Sequence, residues 1–419
     1  MTSKTTTIPK TWKSAPIKDV VDIVIDNRGR NPEYYVPQGI PVIDNVLIKG
    51  ERKIDLGETR RFIDEETYSS FIRKYNQKND VLITLVGNGY GNVALSPEAR
   101  SIIMQNTIGL RCNDTGDNIF LFYNLLLNKR SLTDLNIGAA QPSIKVGDLL
   151  NVELNFPPFP EQCAIATVLS SLDDKIELLR EQNKTLEATA QAIFKEWFVN
   201  FNFPGATGKM IDSELGEIPE GWVIGKIKDE IKTILGGTPS RANDLFWDAG
   251  SIPWINSGAI NNFPIMRASE YITEEGLNNS AAKLMPAKTV VLPFVITPGS
   301  EIKISILGIE SSGNQSVLGL LETEKFSCGY IYFWIQQIKN KLYSGATGGA
   351  QQHINKQEVE NLELLIPMHK VLESFNTLSY PIIDKIIENS FQIQTLSTLR
   401  ETLLPKLMKG EFRVKGFEN

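Results

Sequence analysis

The sequence contains two copies of one pattern, and a single spacing of 210 residues relates them, as from Ile8 to Ile218. Further matched residues are Trp12 and Trp222, Gln105 and Gln315, Glu153 and Glu363, and Asp174 and Asp384. One spacing that links markers from the start to the end of each copy is typical of an internal duplication. We therefore expect two similar units, related by a pseudo-twofold axis like the protomers of a homodimer.

Composition is that of a well-cored globular protein. Hydrophobic residues make up 42% and charged residues 22% of the 419 residues, which is ordinary for folded domains. The most apolar stretches, 119–127 and 289–296, are too short to span a bilayer. The Thr-rich start lacks the apolar segment of a signal peptide. We expect no membrane association and a cytoplasmic location.

The charge balance restricts how this chain could bind nucleic acid. A net charge of −6 argues against binding through bulk electrostatics. Any nucleic-acid contact should therefore be local or shared with partners. Basic residues cluster between Arg28 and Lys78 with acids interspersed, and this segment is either a binding surface or simply a solvated one.

Reactive side chains are sparse, and no complete active site is recognisable. Cys112, Cys163 and Cys328 are widely separated, which suggests neither disulfides nor zinc. The only histidines, His353 and His369, leave little room for imidazole catalysis or a histidine-based metal site. The run 87–91 lacks the Lys-Ser/Thr ending of a phosphate-binding loop, so a tight glycine turn is favoured.

Each copy divides into a mixed α+β part and a long helix. The first parts, 8–157 and 218–367, are rich in short β-branched runs punctuated by Gly, Pro and Asn, as in an α+β domain with a twisted sheet. Those runs are 20–25, 80–86, 290–296 and 330–335. From about residue 161 the apolar period becomes alternately four and three, which predicts a helix of roughly 55 to 60 Å to residue 199.

The two helices are predicted to pair with each other as an antiparallel coiled coil, because twofold-related helices that meet along their length must run in opposite directions. The predicted seam comprises Leu169, Leu172, Ile176, Leu179, Asn183, Leu186, Ile382, Ile386, Ile393, Leu396 and Leu403. Asn183 and Asn389 either set the register or orientation of the pair, or one of them simply faces solvent at a helix kink. Pro381 marks either a kink or the start of the second helix.

These patterns predict the following organisation: a first α+β domain at 1–157, a helix at 158–203, an exposed linker at 204–217, a second α+β domain at 218–367, and a second helix with a tail at 368–419.

The helical segments resemble the specificity subunits of type I restriction-modification enzymes. The resemblance is carried by the stretch 156–188, by the segment 194–201 that ends the first helix, and by 398–411 at the end of the second. Weaker marks are the glycine turn 87–91, the segments 105–110 and 314–319, and the Gly-Ala-Gln turns at 138–141 and 349–351. In the second copy, 297–301 departs from the Gly-x-Gly turn of the first.

The resemblance implies a non-catalytic chain in a larger complex. Two target-recognition domains would read the halves of an asymmetric site in double-stranded DNA, and the paired helices would fix the gap between them. Two methylation subunits and ATP-driven restriction subunits would be the partners. S-adenosylmethionine, ATP and magnesium would then belong to those partners, which supply adenine methyltransferase and endonuclease activity.

Candidate contact residues are chosen by chemistry from predicted loops. Arginine suits guanine, and asparagine or glutamine suits adenine. The DNA-binding candidates are Arg28, Arg30, Arg52, Lys53, Arg60, Arg61, Asn88, Tyr90, Gln141, Arg241, Asn256, Gln351 and Gln352. Trp197, Phe198 and Phe201 either dock a methylation subunit or close the end of the helix pair.

Two other classes of function are the alternatives: a coiled-coil scaffold that binds only proteins, and a methyltransferase or nuclease fused to its own recognition domains. The missing S-adenosylmethionine motif and the incomplete Asn-Pro-Pro-aromatic box at 155–159 count against the fused enzyme.

Overall fold

The computed structural model describes residues 9–29, 31–138, 141–296, 301–345 and 352–417. The chain divides into two compact units, one of Met1–Ile176 with Thr395–Asn419 and the other of Glu177–Gln394. Each unit contains one α/β domain together with parts of both long helices. The predicted domain limits instead separated the helices from the domains.

The first domain contains two sheets and a strand pair. Its strands are β1 (Lys13–Pro16), β2 (Val21–Ile25), β3 (Ile40–Ile43), β4 (Phe62–Ile63), β5 (Val81–Thr84), β6 (Val93–Leu95), β7 (Ile102–Ile103), β8 (Thr107–Cys112) and β9 (Glu153–Phe156). Its helices are α1 (Ile17–Val20), α2 (Glu65–Ser70), α3 (Asn118–Leu127), α4 (Lys129–Thr133) and α5 (Val146–Leu150), and the first long helix is α6 (Phe159–Phe198). The sheet β2-β8-β5-β6 is antiparallel. In the sheet β4-β3-β7, strands β3 and β7 are parallel.

The second domain repeats this plan. Its strands are β10 (Met210–Ser213), β11 (Gly216–Pro219), β12 (Val223–Lys226), β13 (Thr233–Leu235), β14 (Ile252–Ile255), β15 (Glu270–Ile272), β16 (Leu284–Met285), β17 (Val290–Pro293), β18 (Val295–Ile296), β19 (Ser305–Ile306), β20 (Ser311–Gly313), β21 (Val317–Leu320), β22 (Gln352–His353) and β23 (Glu363–Ile366). Its helices are α7 (Ile227–Glu230), α8 (Glu274–Asn278), α9 (Cys328–Gly345) and α10 (Lys356–Glu360), followed by the second long helix, α11 (His369–Met408). The sheet β13-β21-β17-β19 corresponds to β2-β8-β5-β6, and β15-β14-β20-β16 contains the same parallel pair, β14 with β20.

The duplication predicted from sequence is confirmed at the level of elements. Strands β1 and β12, strands β9 and β23, and helices α6 and α11 each begin 210 residues apart, as Lys13 and Val223 illustrate. Both long helices contain 40 residues, which corresponds to about 60 Å. The first was predicted to run from about 161 to 199 and is found at 159–198.

In each unit, segments of the two long helices pack antiparallel, as predicted. In the first unit Arg400 Nη1 lies 2.6 Å from Asp173 Oδ1. In the second unit the rings of Trp197 and Phe375 lie 6.2 Å apart. Every predicted seam residue is buried or partly buried.

Asn183 and Asn389 bind each other across the helix pair of the second unit. Asn389 Nδ2 donates to Asn183 Oδ1 at 2.9 Å, and Asn183 Nδ2 donates to Ser390 Oγ at 3.0 Å. Asn389 is fully buried. The solvent-facing alternative is therefore wrong, and the hydrogen bond gives the pair a polar register mark in an apolar seam.

The core of each domain extends onto the helix segments of its own unit. In the first unit Ile165 and Leu169 pack with strand residues such as Val81. In the second, Ala190 and Phe194 pack with Val290. The helices are thus part of the domain cores, because each presents one apolar stripe that must be covered.

Two expectations about local structure are wrong. Residues 330–335, read as a strand-like run, lie in helix α9, since a short apolar run that is buried on all sides has no diagnostic period. Helix α11 continues through Pro381, so this proline does not start the helix. The predicted linker at 204–217 is largely exposed, as expected, and contains most of the hairpin β10–β11. Phe203, which precedes the linker, is buried in the core of the second unit.

Candidate nucleic-acid interface

The loops that follow strands β3, β5 and β7 meet at one edge of the first domain. Because β3 and β7 are parallel, with Ile43 opposite Ile103, their carboxyl ends lie side by side. The loop after β3 begins with Asp44 and Asn45. The Gln105 amide, just after β7, donates a hydrogen bond to the side chain of Asn31. Loops at strand ends are common places for binding residues.

The glycine turn after β5 lies at the same edge. Gly87, Gly89 and Gly91 have φ values of 86°, 87° and 77°, a region that favours glycine. Gly87 N donates to Pro142 O at 3.1 Å, so the segment containing Gln141 runs beside the turn. The glycine-turn interpretation is confirmed. Asn88 is exposed at its tip.

Tyr90 differs from Asn88, its neighbour in the turn. Its side chain is partly buried and packs against the domain core. It therefore contributes to the position of the turn, and only part of its ring faces solvent.

Two of the predicted arginines are held by carboxylates near this edge. Arg28 Nε and Nη2 donate to both oxygens of Asp26, at 2.9 and 2.7 Å, and this guanidinium lowers the pKa of Asp26. Arg61 makes a bidentate pair with Asp44, and its Nη1 donates to Tyr35 Oη at 2.9 Å. Either arginine would have to exchange its carboxylate for a guanine edge or a phosphate.

Arg52 lies against the first long helix. Its side chain is 11% exposed, pairs with Asp174 and points one Nη toward the carbonyl oxygen of Ser170. These contacts give Arg52 a structural role. Of the four basic candidates at 52–61, Lys53 and Arg60 are the exposed ones.

In the second domain the predicted residues are held by local contacts. Arg241 is bidentate to Glu270 at 2.6 and 2.9 Å, lowers the pKa of that carboxyl, and lies over the ring of Trp247, 3.6 Å from its centroid. Asn256 Oδ1 accepts from Gly258 N at 2.9 Å and caps a short 3-10 helix. Both side chains are at least partly exposed. Asn256 directly follows β14, and Arg241 binds Glu270 at the start of β15.

The remaining candidates are Arg30, Gln351 and Gln352. Arg30 and Gln351 lie outside the described residues. Gln352 is found in strand β22, whose backbone pairs with β18. DNA contact by all thirteen candidates stays a prediction.

Within the described ranges, no group of three or more His, Cys, Asp or Glu side chains is arranged to hold a metal ion. Across the same part of the chain, no helix is long and apolar enough to cross a membrane.

The model of the type I restriction modification DNA specificity domain matches the chain twice, at residues 9–188 and 219–399. The chain belongs to this family. Both matches contain one α/β domain and most of the helix that follows it.

Known members of the specificity family are similar along most of the chain. The type I restriction enzyme MjaIX specificity subunit of Methanocaldococcus jannaschii is 25% identical over 418 residues, which cover 97% of this chain and 95% of that protein. The HindI specificity subunit of Haemophilus influenzae is 25% identical over 356 residues, 70% of this chain and 77% of that protein. The crystal structure of an S subunit from M. genitalium has the same fold, with a TM-score of 0.61 and 15% identity over 97% of this chain and 98% of that chain.

The aromatic residues at the end of α6 pack in or against the core of the second unit. Phe198 is 2% exposed and packs against Tyr330, with ring centroids 5.0 Å apart, so it cannot reach a partner. Trp197 and Phe201 are partly exposed and pack against Phe375 and Trp222. The structure therefore favours the alternative that these residues close the end of the helix pair.

Sequence reasoning missed Asn45 and Lys129 at the edge of the first domain. Asn45 Nδ2 lies 3.6 Å from the position that a Cβ would occupy on Gly87. Lys129 Nζ donates to Asn92 Oδ1 at 2.5 Å beside the glycine turn. Asn45 directly follows an apolar strand, which is a usable signal, whereas Lys129 follows an apolar helix and nothing local links it to the turn.

Proposed function

We propose that this chain is the DNA specificity subunit of a type I restriction-modification complex, in which each α/β domain reads one half of an asymmetric bipartite site. The observation that carries the proposal is the double match of the specificity-domain family to two domains of one topology. Duplicated domains with different loops suit two unlike half-sites.

The loops at equivalent strand ends do differ between the domains. Strand β3 is followed by Asp44 and Asn45, whereas its counterpart β14 is followed by Asn256 and Ser257. Because hydrogen bonds to base edges depend on individual side chains, such differences favour two different half-site sequences.

The long helices support the role of a spacer. Each contains 40 residues, about 60 Å of rigid backbone. In this proposal the helices set the distance between the half-sites, and their exposed faces receive methylation subunits. Those subunits would contribute S-adenosylmethionine-dependent methylation, and restriction subunits would contribute ATP- and magnesium-dependent cleavage, in the cytoplasm.

The experiment is DNA footprinting of the chain assembled with its methylation subunits. Two protected patches separated by a fixed gap are expected, and the chain alone should transfer no labelled methyl group from S-adenosylmethionine. One continuous patch or no protection would contradict the proposal, and the latter is the result for a scaffold that binds only proteins. Methyl transfer by the isolated chain would favour a fused enzyme.

A length variant tests the spacer role separately. Seven residues inserted after Asn183 in α6 and after Asn389 in α11 add two helical turns, so the gap should grow by about 10 Å, or roughly three base pairs. The matched control inserts seven residues between Gly205 and Gly208 in the connector, where a Cβ at either glycine would meet nothing within 4 Å. The control gap should stay unchanged.

A further inference from the structure

Two side-chain amides, those of Asn45 and Gln141, approach one point at the edge of the first domain, and neither has a hydrogen-bond partner among the described residues. Asn45 Nδ2 lies 3.6 Å, and Gln141 Nε2 lies 3.7 Å, from the Cβ position of Gly87. Asn88 follows that glycine and is exposed. Three separate segments of the chain supply these residues, so their convergence is a product of the fold.

The side-chain amide of Asn92, in the same turn, has a structural role because both of its ends are hydrogen-bonded. Its Nδ2 donates to Ile48 O at 2.9 Å, and its Oδ1 accepts from Lys129 Nζ. By contrast, the side chains of Asn45, Asn88 and Gln141 make no hydrogen bond to any described residue. Most amides that hold a loop are bonded at both ends, so the loop does not depend on these three.

The space around the Asn45 and Gln141 amides is suited to the edge of a DNA base. Gly87 has no side chain, which leaves the space between the Asn45 and Gln141 amides open to an approaching group. The nearest carboxylate along the chain, Asp44, is held by Arg61. Lys129, which binds Asn92 of the turn, offers a cation for a phosphate.

An amide offers one donor and one acceptor side by side, and this pair matches N7 and the N6 amino group of adenine in the major groove. Resting on the proposed function, we infer that Asn45 and Gln141, with Asn88 beside them, read adenine in the half-site recognised by the first domain. The second domain has no such described cluster, because the counterpart of the glycine turn begins at Thr297, outside the described residues.

The test changes the hydrogen-bonding pattern with little change in shape. Asn45→Asp and Gln141→Glu, singly and together, replace donor–acceptor pairs with acceptors only, which suit the cytosine amino group. Binding of the full complex is measured against DNA in which each half-site is randomised in turn. The expected result is the loss of preference for adenine at one or two positions of one half-site, by roughly 5- to 150-fold.

The matched control is Gln38→Glu. Gln38 is also an exposed amide of the first domain, but it precedes β3, whereas Asn45 follows it. The control should retain the wild-type sequence preference, and the half-site read by the second domain should be retained in every variant.

Two outcomes would overturn the inference: an unchanged preference in the double variant, or a loss that is uniform over all half-site sequences, as added negative charge near phosphates would cause. Either result leaves the proposed function intact as long as the wild-type complex selects a two-part site. If the wild-type complex selects no such site, the proposed function itself has failed.

Discussion

The two units differ at equivalent positions, where the segment that follows a long helix packs against a domain. The first unit has a polar network there, and the second unit has an apolar cluster. In the first unit Trp12 Nε1 donates to Glu161 at 3.2 Å, and Arg413 is bidentate to the same carboxylate at 2.6 and 3.0 Å. In the second unit the equivalent positions, 210 residues away, hold Trp222, Val371 and Phe203. There the Trp222 and Phe203 rings pack 4.9 Å apart.

A second set of equivalent positions shows the same contrast. In the first unit Asp173 accepts from Tyr123 Oη at 2.5 Å and from Arg400 at 2.6 Å. Burial, together with the nearby Asp173 carboxylate, raises the pKa of Tyr123. The second unit has Phe333, Ile383 and Ala190 at these positions, all buried in one cluster.

The duplicated backbone therefore accepts either a polar network or an apolar cluster at the same site. The polar solution is directional, since it needs every partner in place. An apolar cluster depends on volume and loses stability gradually. The first unit should therefore be more sensitive to single substitutions, and should tolerate the whole set from the second unit.

The largest effect is expected for Arg413→Phe alone. It leaves the Glu161 carboxylate, which is 1% exposed, with only Trp12 as a partner. An uncompensated buried charge typically costs about 3 to 5 kcal/mol. The measurement is the free energy of unfolding of the first unit, from urea titration followed by hydrogen exchange in β1 and α6.

The control copies the second unit completely, as Glu161→Val with Arg413→Phe. Without the buried charge, the double variant should recover most of the loss. The Trp12 indole would then lack a partner, as the Trp222 indole does among the described residues. A double variant less stable than Arg413→Phe would refute the idea that the two solutions are interchangeable.

A smaller effect, about 2 kcal/mol, is expected for Asp173→Ile. It removes the acceptor of Tyr123, but Arg400 is 27% exposed and can be solvated. Hydrogen exchange of α3 should report the loss, because Tyr123 lies in that helix.

The matched variant adds Tyr123→Phe and Arg400→Ala, which completes the apolar set of the second unit. Stability should return to within about 1 kcal/mol of the wild-type protein. Three additive losses instead of a recovery would show that the local volumes differ and that the comparison fails at this site.

More of the backbone fold than of these side-chain contacts could be predicted from the sequence. The duplication and the helix seam depend on periodic patterns, and a period survives substitution at single positions. Residues 330–335 were misread because strand and helix share the same composition when every face is buried. Neither the Glu161–Arg413 pair nor the approach of Asn45 to Gln141 follows from spacing, since such contacts depend on how distant segments fold together.

The smallest effect on stability is expected for Glu301, whose carboxylate is exposed, in contrast to the buried carboxylate of Glu161. Lys339 and Lys303 lower the pKa of Glu301, in the second unit, to about 2 by hydrogen bonding to its carboxylate. A depressed carboxyl pKa stabilises the folded state above the unfolded pKa of about 4.3, and this contribution is lost as the pH falls from about 4 to about 2. Because the Glu301 side chain is 56% exposed, solvent screening limits the contribution to less than about 1 kcal/mol.

Glu301→Gln should therefore lower the free energy of unfolding slightly at pH 7, and the difference should vanish as the pH approaches 2. A difference that persists at pH 2 would show that Glu301 acts through packing, as the apolar residues of its unit do.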